Sequence, residues 1–552
     1  APRATLALGL STSKEAAATL ARAALMPPFD SVFRQQSAAW SAWHYGCAQC
    51  AVPAGLPREL EAQLAWSAQV LKTHSDKTFT GAMVASLSIP WGDTGEERGG
   101  YHLVWPRDEV ECAQALLALG ALDEVRAVLA YLLATQHADG HWHQNQWLGG
   151  KPYWHGVQLD ETAMPVLLAS SLAERDALGG MPVVDGVRRA LAFLILNGPA
   201  SPQDRWEENA GVNPFTLAVC IAALVAGAEV LPQAERALPL AVADFWNVRL
   251  EDWCVARGTA FGARHGVAAY YVREAPPDIL CDDRAMQRVL PVKNHSYDLA
   301  LAASEQIATD FLQLVRLGLR RPDDALIRDT LVLVDALLKT DTPAGPVWHR
   351  YNGDGYGEHS DGRAFDGAGR GRGWPLLSGE RGHYELSAGR DPLPYLHAMN
   401  AMASHGLIPE QVWDAAPLGR LQPGRATGSA MPLAWAHAEF IKLALSRAVG
   451  QPVDRPAAVW ARYGGVRPEL GCAIWTPGAP LDHCSAHAGL WIVLPQPAEL
   501  HLEFDGGHDA EDVHTVECGP GLHGLRLDAA QLAGHTRVEF TWQDAPYSVS
   551  LA

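Results

Sequence analysis

Two carboxylates stand side by side behind an indole in Arg205-Trp206-Glu207-Glu208-Asn209-Ala210-Gly211. Adjacent like charges repel, and a tryptophan beside them invites burial. Burial disfavours the ionised form of a carboxyl group, and a neighbouring negative charge disfavours it further. The pattern suits a pair in which one glutamate keeps its proton near neutral pH and serves as a general acid. The other stays ionised and binds hydroxyl groups. An acidic loop flanking a helix is the plain alternative for the same residues.

Three further stretches carry residues of the same chemistry. In GGYHLVWPRDEVE, residues 99–111, Arg107 and Asp108 follow Trp105-Pro106. A guanidinium that donates beside a carboxylate that accepts can grip vicinal hydroxyls, although a helix start with acids in its first turn would read the same way. In MPLAWAHAEFIKLA, residues 431–444, Glu439 is a lone acid on an apolar helix, four residues after Trp435. A buried carboxylate is costly unless partnered. Glu439 therefore either faces a cavity, as a general base toward a water molecule, or pairs with Lys442 at i+3. The stretch 348–386 holds Arg350, Trp374, many glycines and several acids. Its Asn352, Asp354, Tyr356 and Glu358 follow the alternate spacing of a calcium loop without the full twelve-residue pattern. No metal is expected in the chemistry, and structural calcium is the one ion this spacing leaves open.

Residues this far apart meet only if regular elements bring them together. Apolar residues recur at i, i+3 and i+4 over 58–73, 108–119, 121–136, 160–174, 184–197, 214–227, 231–248, 297–317, 322–340, 375–386, 392–405 and 430–448, which predicts twelve helices. Long Gly-, Trp- and Asp-rich loops fall between alternate helices at 75–107, 138–159, 198–213 and 343–374. Long ordered loops in a compact domain are usually functional. Twelve helices in antiparallel pairs with their long loops on one side predict a mainly α fold, an (α/α)6 barrel. The rival, an α-solenoid, would need a repeat of fixed period, and none is present.

The flanks differ from the barrel. Residues 1–57 read as a remnant β-strand, ATLALGL at 4–10, and a helical linker; 58–450 as the barrel; 451–552 as a small β-rich region, with alternating runs such as LHLEF and TRVEF. The unpaired strand leads to the expectation that a β-rich N-terminal part has been lost and would associate with this chain.

Composition narrows the partners. Of 552 residues, 48% are hydrophobic and 19% charged, with a formal net charge of −19. Such a balance argues against nucleic acid, which demands a basic face, and no Lys/Arg-rich run favours anionic membranes. No apolar run reaches the ~18 residues that span a bilayer. A neutral ligand such as a sugar needs no opposing field, and 19 tryptophans offer flat faces for a pyranose ring. The 9 cysteines are scattered. Only Cys47 and Cys50 have C-x-x-C spacing, so buried thiols or a single disulfide are expected rather than a zinc site.

Taken in order, SLSIPWG, GGYHLVWPRD, QLDETAMPVLLA, RWEE, GRGWPLLSGERGHYEL and HAEFIKL resemble the glucoamylase family of inverting glycosidases, glycoside hydrolase family 15, over about 78–448. They are most similar to its bacterial glucoamylase and glucodextranase branch. The resemblance implies a hydrolase that releases β-D-glucose from non-reducing ends of α-glucans, cleaving α-1,4 and in some members α-1,6 bonds, without a cofactor. It implies Glu207 as general acid, Glu208 as a sugar ligand and Glu439 as general base. Arg107 and Asp108 would hold the terminal glucose, Tyr101, Trp105 and Trp206 would line its pocket, and Arg350 and Trp374 would lie near the cleavage point. A glucodextranase or isomaltose hydrolase, a trehalase, a transglucosylase and a non-catalytic sugar-binding toroid are the other expectations. Polymer-degrading relatives are often exported, so a periplasmic or extracellular location is expected.

Overall fold

The computed structural model describes residues 4–51, 55–92 and 100–551. The chain divides into two units, one of residues 1–52 with 119–121, the other holding the remainder. In the first, Ser13 caps α1 (Lys14–Ala24) by accepting from the Ala16 N–H, and α2 spans Phe29–Ala51. Residues 4–10 carry no strand. Leu6, Leu8 and Leu10 are more than 80% exposed, so the alternation that suggests a strand finds no strand to pair with among the described residues. The Cys50 side chain of the C-x-x-C pair lies outside the described residues.

The second unit is built on helices α3 (Arg58–His74), α4 (Pro106–Ala118), α5 (Leu122–Thr135), α6 (Leu159–Glu174), α7 (Val184–Asn197), α8 (Pro214–Val230) and α9 (Ala237–Cys254). After a single turn α10 (Ala260–Arg264) come α11 (Leu312–Arg316), α12 (Ala325–Leu337), α13 (Pro375–Ser387), α14 (Leu393–Met402) and α15 (Ala434–Val449). Helices α4, α6, α8, α11, α13 and α15 pack each on the next, and α15 returns to α4, closing an inner ring. Helices α3, α5, α7, α9 and α14 pack around it. Composition explains the division. Helix α8, PFTLAVCIAALVAGAEV, is apolar all round and buried along nearly its whole length, as a helix enclosed on every side must be. The outer helix α12 buries only Ile327, Thr330, Leu331, Leu333 and Val334, one stripe.

Local signals set the starts. Asn213 accepts from the N–H groups of Phe215 and Thr216, with Pro214 at the first helical position. Gly450 ends α15 in the left-handed conformation, φ 79°. Eleven of the twelve expected helices lie where periodicity places them. The exception is 297–317, of which only Leu312–Arg316 is α-helical. Upstream, Gln306, Thr309 and Asp310 are buried; Thr309 and Asp310 bind Arg205 of the loop 198–213 and Gln306 binds the Leu290 carbonyl, and satisfying those side chains takes irregular backbone.

Every outer-to-inner connection is long: 75–105, 136–158, 198–213, 255–311, 338–374 and 403–433. The returns, such as 231–236 and 388–392, are short. All six long loops therefore gather at the N-terminal end of the inner helices. Two small hairpins, β1 (Val255–Arg257) with β2 (Ala269–Tyr271) and β3 (Lys339–Thr342) with β4 (Gly345–Trp348), stiffen two of them.

Beyond α16 (Ala457–Tyr463), the strands β5 (Cys472–Trp475), β6 (His483–Cys484), β7 (Gly489–Leu494), β8 (Glu499–Phe504), β9 (His508–His514), β10 (Val516–Glu517), β11 (His523–Leu527), β12 (Arg537–Trp542) and β13 (Ala545–Leu551) form two sheets. Their orders are β10-β11-β7-β5 and β6-β13-β12-β8-β9. Trp475 of the first meets Phe540 and Tyr547 of the second edge-on, at 4.9 and 4.8 Å between ring centres. This is the expected β-rich C-terminal region. Among the described residues, Cys112, Cys220, Cys254, Cys281, Cys472, Cys484 and Cys518 are free thiols.

Candidate active site

The loop 198–213 is folded around Asp204. The Asp204 carbonyl accepts from the Glu207 N–H (2.9 Å), and its carboxylate accepts from the Glu208 N–H (2.8 Å) and from Arg273 (2.8 Å). Arg205, buried, bonds Asp310 (2.8 Å) and Glu380 of α13 (2.7 Å), with its guanidinium against Trp206 and Phe215. Held at both ends, the turn forces Glu207 into a left-handed conformation, φ 67°. A non-glycine residue tolerates that only where its surroundings dictate it. Trp206 packs on Trp374 (5.4 Å) and Trp435 (6.3 Å).

Glu207 accepts a 2.7 Å hydrogen bond from Trp105 Nε1. Burial raises its pKa, opposed by Arg107, by that indole N–H and by Arg350. Such a carboxyl group is suited to carry a proton. Its neighbour is handled differently. Glu208 takes the Tyr351 hydroxyl on one oxygen and Arg273 (3.3 Å) on the other, and lies 3.5 Å from Arg350. The two adjacent glutamates thus point into different electrostatic surroundings. Glu208 supports Arg350 and the loop, rather than standing free as the expected sugar ligand.

Arg107 is buried among Gln158 (3.2 Å), Asp160 (2.9 Å), Glu161 (3.2 Å) and Asp108 (3.2 Å). Burial pushes the Asp108 carboxyl up to about 6 against the pull of Arg107. Arg107 Nε, Trp206 Nε1 and Trp374 Nε1 are buried yet have no hydrogen-bond partner among the described residues. Buried polar atoms are normally satisfied, and hydroxyls of a bound ligand would satisfy these. Arg350 forms a two-pronged pair with Asp354 (2.8 and 2.7 Å) amid Trp206, Tyr356 and Trp374. That pair, with Asn352 bonded to the Ile307 N–H (2.6 Å) and Glu358 to Trp91 Nε1 (2.8 Å), directs the oxygens of the calcium-like spacing to separate protein donors. They do not converge on an ion.

The expected general base is elsewhere. Trp435, at the start of α15, touches the site through Trp206 and Arg107. Glu439 lies four residues deeper, about 6 Å along the helix axis. There it is fully buried, gripped by Arg316 (2.9–3.0 Å), His383 Nδ1 (2.7 Å) and Lys442 (3.5 Å). Asp454 and Glu111 complete the cluster on Arg316 and Lys442. Against burial, these cations hold the Glu439 carboxyl far below the usual carboxylate range. A carboxylate so stabilised has little affinity for a proton. The ion pair with Lys442 is the reading the geometry realises.

A carboxylate that the sequence did not single out takes the place at the site. Glu410, in the loop 403–433, is fully buried. Tyr101 Oη donates to one of its oxygens and the Ala430 N–H to the other (3.2 Å). Tyr101 Oη is also 2.7 Å from Tyr356 Oη. Burial pushes the Glu410 carboxyl up to about 7, opposed by the Tyr101 hydroxyl, the Ala430 N–H and Arg350. The Tyr101 and Trp105 rings are 6.0 Å apart. Glu207 and Glu410 therefore hang from two neighbouring aromatic side chains of one segment. A signal existed: 403–433 is another long outer-to-inner loop, and it carries two acids, Glu410 and Asp414, about Trp413.

The family model for glycosyl hydrolases family 15 matches residues 61–140 and 133–445. A glucoamylase from Clostridium sp. (strain G0005) is 41% identical over 411 residues, covering 72% of this chain and 54% of the relative. The chain thus spans about half the length of that curated relative. A bacterial glucoamylase crystallised with acarbose shares the fold at a TM-score of 0.71 and 36% identity, over 82% of this chain and 64% of that one. A family 15 glucoamylase from Hypocrea jecorina, 14% identical, has a TM-score of 0.50 over 89% of this chain and 98% of its own. With a matched segment that runs through every barrel helix from α4 to α14, this chain belongs to glycosyl hydrolases family 15.

Proposed function

We propose that the chain is an exo-acting, inverting α-glucosidase, with Glu207 as general acid and Glu410, in place of Glu439, as general base. The supporting observation is the pair of carboxyl groups, half-buried Glu207 held by Trp105 Nε1 and buried Glu410 held by Tyr101 Oη. An inverting reaction needs an acid and a base on opposite sides of the scissile bond, about 6.5–9.5 Å apart, with a water between. Glu207, with one donor, protonates the glycosidic oxygen. Glu410, whose donors on each oxygen oppose the rise that burial imposes, takes the proton from water as it attacks the anomeric carbon. Arg107 and Asp108 bind the hydroxyls of the terminal sugar, and Trp206, Trp374 and Arg350 border the cleavage point. Proton transfer and positioning supply the rate without a cofactor. The relatives' name, glucoamylase, supports an α-glucan or gluco-oligosaccharide as substrate.

The test is glucose release by three variants. Glu207→Gln and Glu410→Gln each lower kcat by at least ~100-fold, while a folded Glu439→Gln keeps most of its turnover. Normal turnover by Glu410→Gln removes the assignment of the base. Polarimetry shows β-glucose first; an α-anomer product would mean retention. Comparing maltose, isomaltose, trehalose, starch and dextran sets the bond preference.

Two further points belong to the same reading. The exposed Leu6, Leu8 and Leu10 support association with a β-rich N-terminal segment, and failure of such a segment to co-purify would count against it. Among the described residues no helix is long and apolar enough to cross a membrane. Export of the chain is part of the proposal, checked by fractionating the producing cell.

A further inference from the structure

Apart from the carboxylates, one cluster of ligating side chains has no part in the chemistry above. It sits where the loop 136–158 leaves α5. The sequence His137-Ala138-Asp139-Gly140-His141-Trp142-His143 folds into a tight turn in which the Gly140 N–H donates to the His137 carbonyl and the His137 N–H to the His141 carbonyl, both 3.0 Å. Gly140 is required there. Its φ is 105°, and a Cβ would stand 2.2 Å from the Arg189 carbonyl oxygen. The turn brings three imidazoles together, with one ring nitrogen of each within 4.8 Å of the others. Ring centres are 4.7 Å apart for His137 and His141, 4.3 Å for His137 and His143, and 4.8 Å for His141 and His143.

We propose that His137, His141 and His143 bind a divalent transition metal, zinc by the chemistry of the donors, and so lock the turn from which the site loop departs. Three observations carry this. First, His141 is already prepared as a ligand. It is 9% exposed, its ring is stacked on Phe193 at 4.9 Å, and its Nδ1 is 2.6 Å from Asp139 Oδ1. The carboxylate takes the Nδ1 proton and leaves the Nε2 lone pair free, the arrangement that orients metal-bound histidines. Second, His141 Nε2 and His143 Nδ1 are buried without any hydrogen-bond partner in the chain. Unpaired buried nitrogens facing a shared space are costly, and a cation satisfies them. Third, three neutral nitrogen donors with no carboxylate in the set suit zinc, copper or nickel, and exclude calcium and magnesium.

The geometry needs only a modest change. Tetrahedral zinc with bonds of 2.0–2.1 Å places its nitrogens about 3.3 Å apart. His141 is fixed, whereas His137 and His143 are half-buried and can rotate toward it. His155, exposed, lies 5.1 Å from the His143 ring, outside the set of three. The same loop carries Gln158, which bonds Arg107, and Trp154, whose ring is 6.4 Å from that of Trp105. The ion therefore acts on the stability of this loop, not on the chemical step.

The experiment uses the whole chain, stripped with a chelator and titrated with Co2+ as a visible probe, then with Zn2+. The expected result is one Co2+ per chain with a d–d band of nitrogen coordination, displaced by Zn2+. Zn2+ raises Tm by several degrees and slows proteolysis within 138–158. Asp139→Asn weakens binding by ~10–100-fold, and the double variant His141→Asn, His143→Asn abolishes the band. A wild-type chain that leaves Co2+ with its aqueous spectrum overturns the proposal, as does a folded double variant that binds one equivalent unchanged. Neither readout depends on glucose release, so this inference can fail while the glycosidase reading stands.

Discussion

Replacing Tyr101 by phenylalanine tests the assignment of Glu410 by removing one oxygen atom. The Tyr101 hydroxyl donates to Glu410 and lies 2.7 Å from the Tyr356 hydroxyl. The ring of Tyr101 packs beside Trp105 at 6.0 Å, and phenylalanine preserves that contact. What is lost is one donor to a buried carboxylate. A hydrogen bond to a charged group contributes about 1.5–3 kcal/mol. Since 1.36 kcal/mol corresponds to one pKa unit, the Glu410 pKa should climb by ~1–2 units from its value of about 7.

The sign follows from the role. A general base works only when ionised, so its pKa sets the acidic limb of kcat/KM against pH in the free enzyme. Raising that pKa moves the limb to higher pH by the same ~1–2 units and narrows the bell. Well below the limb, kcat/KM falls ~10–100-fold, while the alkaline limb, set by Glu207, stays in place. The assay is initial-rate glucose release across pH, with buffers at constant ionic strength. An acidic limb that stays put, or moves to lower pH, refutes the hydrogen-bond argument and with it Glu410 as the base.

The mirror experiment is Trp105→Phe. It removes the N–H that lowers the Glu207 pKa, so the alkaline limb should move up by ~1 unit and the acidic limb should not move. Glu439→Gln should act on stability: breaking a buried ion pair costs about 3 kcal/mol, read from urea unfolding at pH 7. Because the Glu439 carboxyl is held far below its unfolded value, its contribution is present above that value and lost as pH falls toward the folded one. The wild type should therefore lose more stability than the variant on going from pH 6 to pH 3. Arg350→Lys should lower kcat/KM by at least ~10-fold, since an ammonium cannot reproduce the two-pronged pair with Asp354 or lie flat among three aromatic rings.

The barrel was legible because helices of 3.6-residue period carry their burial pattern within one segment. Helix α8 has no polar face, so it must be inner, and its Asn-Pro start needs no tertiary partner. Where tertiary demands win, the periodicity misleads. LALAASEQIATDF reads as helix, yet Thr309 and Asp310 bind Arg205 of the loop 198–213 and Gln306 binds the Leu290 carbonyl earlier in its own loop, and an unbroken helix could not have aimed them. Tyr101, Trp105, Arg107, Asp108 and Trp206 stand out as candidates because each lies within a few residues of another polar or aromatic candidate. Glu410 could not be found that way. Its partners Tyr101 and Ala430 are 309 and 20 residues distant, and nothing local sets it apart from Asp414 in the same loop.

Glu439 and Glu410 are both fully buried carboxylates with no exposed surface, and burial alone would raise both pKa values. Their difference lies in what else is buried with them. Glu439 shares its space with two cations and a histidine supplied by α11, α13 and α15, so it is held as an anion across the whole working range of pH. Glu410 meets only neutral donors, one phenol and one peptide N–H, with Arg350 acting from farther off. Neutral donors lower a carboxyl pKa less than cations in contact do, which leaves Glu410 able to gain and lose a proton near neutrality. In this barrel, depth along the inner helices separates the two functions. At the N-terminal ends, an indole at Glu207 and a phenol and a peptide N–H at Glu410 leave those two carboxyl groups titratable. One helical turn deeper, arginine and lysine neutralise the acids and convert them into cross-links between inner helices. A lone acid on an apolar inner helix is thus evidence for a base only if it lies in the first turn, and Glu439, in the second, does not.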